Sequence, residues 1–181
     1  MTAHSANAAD PKVLFTFDEA TRGDWTSVDD TVMGGRSDGG AALHDGVLHF
    51  SGTLSLESNG GFSSIRHSVE LDLSGYNGIR LRVKGDGRSY QLRLHTDARY
   101  SGQPVAFGAT FQTNAGEWTE VDVPFDTLRA TFRGRLMSDY FFDPAAIEQV
   151  GILLADKQAG PFELQVDRLV AYGSHRKEPR S

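Results

Sequence analysis

Apolar and polar residues alternate with a period of two along most of the chain. The clearest run sets Ile79, Leu81 and Val83 between Arg80, Arg82 and Lys84. Successive side chains of a strand point to opposite faces, so this run predicts a half-buried strand with a basic outer face. Tyr90, Leu92 and Leu94 alternate likewise with Gln91, Arg93 and His95, just after the turn signal Gly85-Asp86-Gly87-Arg88. The two runs together predict an antiparallel hairpin. Val105, Phe107, Ala109 and Phe111 share one parity, and Val121 and Val123 oppose Glu120 and Asp122 until Pro124 ends that strand. Other strands are predicted at Val13 to Phe17, at Val47 to Phe50 running on through Leu54 and Leu56, and at Phe62 to Arg66. Val69 to Leu73, Val150 to Leu154 and Phe162 to Tyr172 complete the set.

Ser37-Asp38-Gly39-Gly40 reads as a turn. Between 125 and 147 the alternation fails, with Phe125, Leu128, Phe132, Leu136 and Tyr140 scattered among Arg129, Arg133 and Arg135. That predicts a long excursion with one helical turn at Pro144 to Ile147. About nine to eleven strands with almost no helix predict an all-β protein, a jelly-roll β-sandwich of two antiparallel sheets. An up-and-down barrel would need more even strand spacing.

At 181 residues the chain is sized for one domain. The expected division is a disordered N-terminus at 1–11, a single sandwich at 12–173 and a mobile tail at 174–181. Twenty glycines and 11 phenylalanines suit short strands joined by tight turns. A formal charge of −6 gives no overall attraction to nucleic acid or anionic lipid, so neither is an expected partner. The absence of cysteine excludes disulfides, thiolate metal sites and a cysteine nucleophile. Met1 to Asp10 has neither the charged start and apolar stretch of a secretory signal nor the arginines of a mitochondrial presequence. No apolar run approaches the ~18 residues of a membrane span. A cytoplasmic protein is therefore expected, meeting a membrane only peripherally through a partner.

Candidate chemistry narrows the function further. The 6 histidines show no HxH or HExxH spacing, which argues against a histidine metal site. No GxSxG elbow or Walker loop occurs, and no GxGxxG joins a strand to a helix. No catalytic residue is assigned and an enzyme is not expected. Asp29, Asp30, Asp86, Asp97, Asp139, Asp143 and Asp156 fall at strand ends or in loops. Such carboxylates suit turns, arginine partners or a structural calcium ion, the one bound cofactor left open.

Two segments are built on glycine pairs: Asp29-Asp30-Thr31-Val32-Met33-Gly34-Gly35-Arg36-Ser37 and Asn59-Gly60-Gly61-Phe62-Ser63-Ser64-Ile65-Arg66. Glycine permits tight turns or close approach of the backbone to another body, and both readings stand. Arg36 and Arg66 follow the glycine pairs, and Arg133 precedes Gly134. A guanidinium offers a planar fork to carboxylate, carbonyl or phosphate. Either these arginines meet a partner, or Arg36 or Arg66 pairs internally with Asp29, Asp30 or Asp156. Met33 and Phe62 are apolar anchors of such a surface or parts of the core. Trp118 follows a turn and opens an alternating strand, which places it in the core; Trp25, Trp118 and Tyr100 are the aromatic faces on which a sugar would stack.

Together these motifs resemble the complex I intermediate-associated protein 30 family. The likeness rests on Asp29 to Ser37 and Asn59 to Arg66, and continues through Phe50-Ser51-Gly52, Gly85-Asp86-Gly87-Arg88-Ser89-Tyr90 and Phe132-Arg133-Gly134-Arg135. It also covers Gly151 through Asp156-Lys157-Gln158 and Gly160-Pro161-Phe162, spanning Val13 to Tyr172 in order. The resemblance implies a galactose-binding-domain-like jelly roll and a non-catalytic assembly factor or chaperone of respiratory complex I. Complex I subunits or other assembly factors are the implied protein partners, and a stand-alone bacterial version is expected. On that reading the motif loops are expected to form one partner- or ligand-binding surface of Asp29, Asp30, Met33, Gly34, Gly35, Arg36, Ser37, Asn59, Gly60, Gly61, Phe62, Ser64 and Arg66, with Arg133, Asp156, Lys157 and Gln158. The alternative is a carbohydrate-binding or carbohydrate-acting domain holding a sugar at the loop end of the sandwich.

Overall fold

The computed structural model describes residues 11–18, 25–29, 37–57 and 60–173. Among them the strands are β1 Lys12–Phe15, β2 Thr26–Asp29, β3 Asp38–His44, β4 Val47–Leu54, β5 Ser63–Leu71, β6 Gly78–Lys84 and β7 Ser89–Tyr100. They continue with β8 Gln103–Gln112, β9 Trp118–Pro124, β10 Arg129–Phe132, β11 Arg135–Leu136, β12 Ile147–Leu154 and β13 Gly160–Tyr172. Single 3-10 turns cover Phe125–Thr127 and Pro144–Ala146.

The strands form two sheets. One runs β3-β4-β13-β6-β9, and the other β11-β10-β8-β7-β12-β5-β2. β13 is long enough to pair β4 through its first half and β1 through its second, with β6 along its other edge. The period-two pattern decides which side of each strand is buried. Leu48, Phe50, Ile79, Leu81, Val83 and Leu164 face inward from the first sheet, and Ile65, Tyr90, Leu92, Leu94, Phe107 and Ile152 meet them from the second. This is a jelly-roll sandwich of two antiparallel sheets packed over one core.

The connectivity differs from the sequence expectation in several places. β6 and β7 are not a hairpin: β6 lies between β13 and β9, whereas β7 lies between β12 and β8 in the opposite sheet. Alternation states which face of a strand is apolar but not which strand lies beside it, and both strands face the same core from opposite sides. Ser37 to Gly40 is not a turn but the entry into β3; the tight turn comes at Asp45 and Gly46, with φ of 53° and 75°. Positive φ at both central residues is what a two-residue type I′ hairpin loop requires. Phe62 to Leu73 yields the one strand β5, and the excursion after Pro124 holds the β10–β11 hairpin. Trp118 lies outside the core, on the outward parity of β9, with the Arg82 guanidinium 5.2 Å from its ring centroid.

Candidate functional site

At one sandwich end Arg88 joins two loops. Arg88 begins where the crossover from β6 turns into β7, and Asp156 lies in the loop from β12 to β13. Arg88 Nε donates to Asp156 Oδ2 at 2.8 Å and Nη2 to Oδ1 at 2.9 Å. Nη1 also donates to the carbonyl of Pro161 at 2.9 Å, and Nη2 to that of Gln158. The two side chains are only 11% and 8% exposed, so the pair is desolvated and bidentate. Asp86 adds a second node, accepting from Arg88 N at 3.1 Å, Glu163 N at 2.8 Å and the Tyr90 hydroxyl at 3.1 Å. Burial, reinforced by the Asp86 charge, pushes the Tyr90 phenol far above its ordinary range, so it stays a neutral donor. Thr113 Oγ1 donates to Arg88 O at 2.7 Å and accepts from Gly87 N at 3.1 Å. Gly85 must lack a Cβ, which would overlap the Thr113 side chain.

A different arrangement occupies the outer face of the seven-stranded sheet. Cross-strand register aligns Arg66 of β5 with Gly151 of β12, Gly151 with Arg93 of β7, Arg93 with Gly108 of β8, and Gly108 with Arg129 of β10. Three arginines thus alternate with two glycines in one row. The glycines leave room: a Cβ on Gly151 would come within 2.7 Å of Ile65 O and 3.3 Å of Arg66 Cβ, and one on Gly108 within 3.5 Å of Arg93 Cγ. Arg66 Nη2 meets Ser64 Oγ at 3.5 Å, and Arg93 Nη2 meets Thr131 Oγ1 at 3.4 Å. Burial lowers the pKa of both guanidiniums from the ordinary value, and for Arg93 the charge of Arg66 adds to the effect.

His95 stands beside this row. Its Nδ1 lies 2.5 Å from Gln149 Oε1, an acceptor, which places the ring proton on Nδ1. Burial chiefly, with the charges of Arg66, Arg93 and Arg99 in support, lowers its pKa against the opposing Gln149 bond. The folded protein therefore keeps His95 neutral at pH values where the unfolded chain, near the reference pKa of about 6.5, takes up a proton. The unfolded state binds more protons below that pH, so stability falls as pH drops through about 6.5 and is flat above it. His95→Gln is expected to remove this component, read as a flatter dependence of the urea midpoint on pH between about 5 and 7.5.

The sequence candidates distribute unevenly. Asp29 ends β2 opposite Ser63, which in turn lies opposite Leu154 just before Asp156. Ser37 is buried, its Oγ donating to Ser55 O at 3.1 Å and accepting from Ser55 N at 2.9 Å. Gly60 N donates to Glu57 O at 2.9 Å, Gly61 has φ 132°, and Phe62 is half-buried directly before β5. Asp29, Ser37, Gly60 to Phe62 and Asp156 to Gln158 therefore share one end of the sandwich, where Lys157 and Gln158 are exposed. Ser64 Oγ donates to Val28 O at 2.9 Å and ties β5 to β2. Arg66 sits farther along β5, on the sheet face. Arg133 is at the opposite end, in the β10–β11 turn with φ 52°, donating to Gln103 Oε1 at 3.3 Å. Asp30, Met33, Gly34, Gly35, Arg36 and Asn59 lie outside the described residues. Asp156 takes Arg88 as its partner rather than Arg66, which the register holds on the sheet face opposite Gly151. Among the described residues no group of three histidine, aspartate or glutamate side chains gathers to hold a metal ion. No helix there is long and apolar enough to cross a membrane.

Two facing antiparallel sheets over one core define a jelly-roll β-sandwich. The fold is similar to the family 11 carbohydrate-binding module of a cellulosomal cellulase from Clostridium thermocellum, with a TM-score of 0.70 at 17% identity over 91% of this chain and 95% of that one. It is also similar to a family 30 carbohydrate-binding module, with a TM-score of 0.60 at 16% identity over 91% of this chain and 99% of that one. Identities this low speak to the fold alone. The chain belongs to the Complex I intermediate-associated protein 30 family, which matches residues 14–166. The mitochondrial Complex I intermediate-associated protein 30 of Drosophila melanogaster is 26% identical over 141 residues, covering 74% of this chain and 48% of that protein. The one from Mus musculus is 28% identical over 128 residues, covering 68% of this chain and 38% of the relative. The chain thus spans less than half the length of these relatives. Their description as mitochondrial overturns the expectation of a bacterial cytoplasmic protein.

Proposed function

We propose that the protein is a non-catalytic binding module that holds a protein partner during assembly of respiratory complex I. The observation that carries this reading is the family match, which runs across the sandwich over residues 14–166. The expected contact surface combines residues from Asp29 to Arg36, residues from Asn59 to Phe62, and the exposed Lys157 and Gln158, with Arg66 on the adjoining sheet face. Glycine pairs let the backbone approach the partner closely, and arginine supplies directed hydrogen bonds. The sugar reading draws on fold likeness, and the aromatic faces it needs are already engaged. Arg82 lies over Trp118, and the Tyr100 ring is 5.0 Å from that of Phe132.

Affinity capture from soluble and membrane fractions tests the proposal, with an Arg36→Ala/Arg66→Ala variant of verified fold alongside. Complex I subunits or assembly factors are expected with the wild type and are lost with the variant. Recovery of no respiratory-chain protein from either fraction overturns the assembly role; equal recovery with the variant moves the contact surface elsewhere.

A further inference from the structure

The arginine row carries an unusual feature for a protein of net charge −6. Among the described residues no carboxylate pairs with Arg66 or Arg93, although five other arginines pair with carboxylates elsewhere on the fold. Arg93 Nε is shielded from solvent and meets no acceptor. An unpaired, partly desolvated guanidinium beside a second one is costly, because burial without a counter-charge leaves the hydration loss uncompensated. The flanking glycines suggest a purpose, since they add no side chain to the row where a Cβ on Gly108 would already lie 3.3 Å from Gln91 Oε1 and 3.5 Å from Arg93 Cγ. Beyond Gly108 the row opens into a cleft of about 430 Å³ whose walls include Gln91, Thr110 and Arg129, and also Asp122, whose charge is taken by Arg80. Arg129 donates Nη1 to the Asp126 carbonyl at 3.1 Å and to that of Leu128 at 3.3 Å.

Geometry limits what can satisfy all three. Neighbouring strands are about 4.8 Å apart, so arginines two strands apart are separated by about 10 Å at the backbone, and the whole row by about 19 Å. One phosphate or one dicarboxylate does not reach across that row. A polyproline II-like segment repeats its side-chain direction every three residues and advances about 9 Å in doing so. Acidic residues at every third position of such a segment match the arginine spacing. Arginine forks take carboxylates with two parallel bonds, and Gln91 and Thr110 beside the row can bond the segment's backbone.

We propose that the row Arg66, Arg93 and Arg129 is a docking site for an extended acidic segment of a protein partner, one carboxylate to each guanidinium. The inference rests on the binding-module reading above and names the chemistry of the partner.

The test titrates the full chain against a fluorescent peptide of four Glu-Pro-Pro repeats, with the Gln-Pro-Pro peptide as control and inorganic pyrophosphate as competitor. The glutamate peptide is expected to bind and to weaken as salt rises, and the glutamine peptide to fail. Arg93→Met is expected to weaken binding about tenfold or more, and Arg129→Gln less, because Arg129 is the more exposed. Arg93→Met should also keep or raise the Tm, since it removes an unpaired buried charge; a purely structural arginine would lower it. No binding by the wild type overturns the proposal, as does undiminished binding by a folded Arg93→Met. Pyrophosphate that competes as tightly as the peptide reduces the row to a simple oxyanion site and overturns the peptide assignment. Failure here leaves the capture experiment free to support an assembly role through another surface, whereas peptide binding without complex I capture keeps the site and removes that role.

Discussion

Arg88→Ala is expected to destabilise the fold by about 3–5 kcal/mol, the range for removing one partner of a buried ion pair. The loss exceeds that of an ordinary salt bridge because of what the guanidinium holds. Its fork takes both oxygens of Asp156, and the carbonyls of Gln158 and Pro161 lean on the same group. Removing it leaves a carboxylate that is 8% exposed without a cation and strands those carbonyl contacts. It also releases the crossover between the sheets from the β12–β13 loop. Arg80→Ala is the control. Arg80 is equally bidentate to Asp122, at 2.6 and 3.0 Å, but the two side chains are 39% and 45% exposed. Solvent screening holds such a pair to about 1 kcal/mol or less. Urea midpoints at neutral pH separate the two variants, and an Arg88→Ala protein as stable as Arg80→Ala would show that the clamp is not what closes this end.

The sandwich was legible because its signal is local. A strand of the core announces its buried face in its own sequence, as Ile79, Leu81 and Val83 do, and Pro124 announces its end. Partnership is not local. The turn Gly85 to Arg88 carries good hairpin residues, yet it bridges two sheets, because β13 and β9 already occupy both edges of β6. The β10–β11 hairpin was hidden for another reason. It is built from two short strands whose residues are mostly half-buried or exposed, so no alternation marks it.

The candidate site divides along the same line. Motifs that read as loops did gather at one end: Ser37, Gly60 to Phe62 and Asp156 to Gln158. The arginine that organises that end, Arg88, was visible only as part of a turn. Arg93 was visible only as the polar member of an alternating pair. Nothing in its neighbourhood in the sequence places it one strand away from Gly151 and two from Arg66. That row exists by virtue of β12 inserting between β5 and β7, a fact of topology.

Glycine offers the second large effect. Gly39 and Gly52 lie directly opposite one another in β3 and β4. Both sit at a crowded point: a Cβ on Gly52 would overlap the Asp38 carbonyl, and one on Gly39 would overlap Ser63 Oγ of the other sheet and reach 3.0 Å from Phe162. Substituting alanine for glycine at a compatible backbone position ordinarily stabilises by about 0.4–1 kcal/mol, through the unfolded chain. At Gly52 the sign should reverse. The obstacle is backbone, which cannot swing aside as a side chain can, so Gly52→Ala must push β3 away from β4. Overpacking of this kind costs about 3 kcal/mol, which in a domain of this size lowers Tm by roughly 6–12 °C. The adjacent Gly40 has no atom within 4 Å of its added Cβ. Gly40→Ala is therefore expected to leave Tm unchanged or raise it slightly. Thermal unfolding of the two variants decides the matter: a drop at Gly52 alone shows that the glycine pair exists for close approach of strands, whereas equal Tm values would mean that β3 moves freely and that the pairing there contributes little.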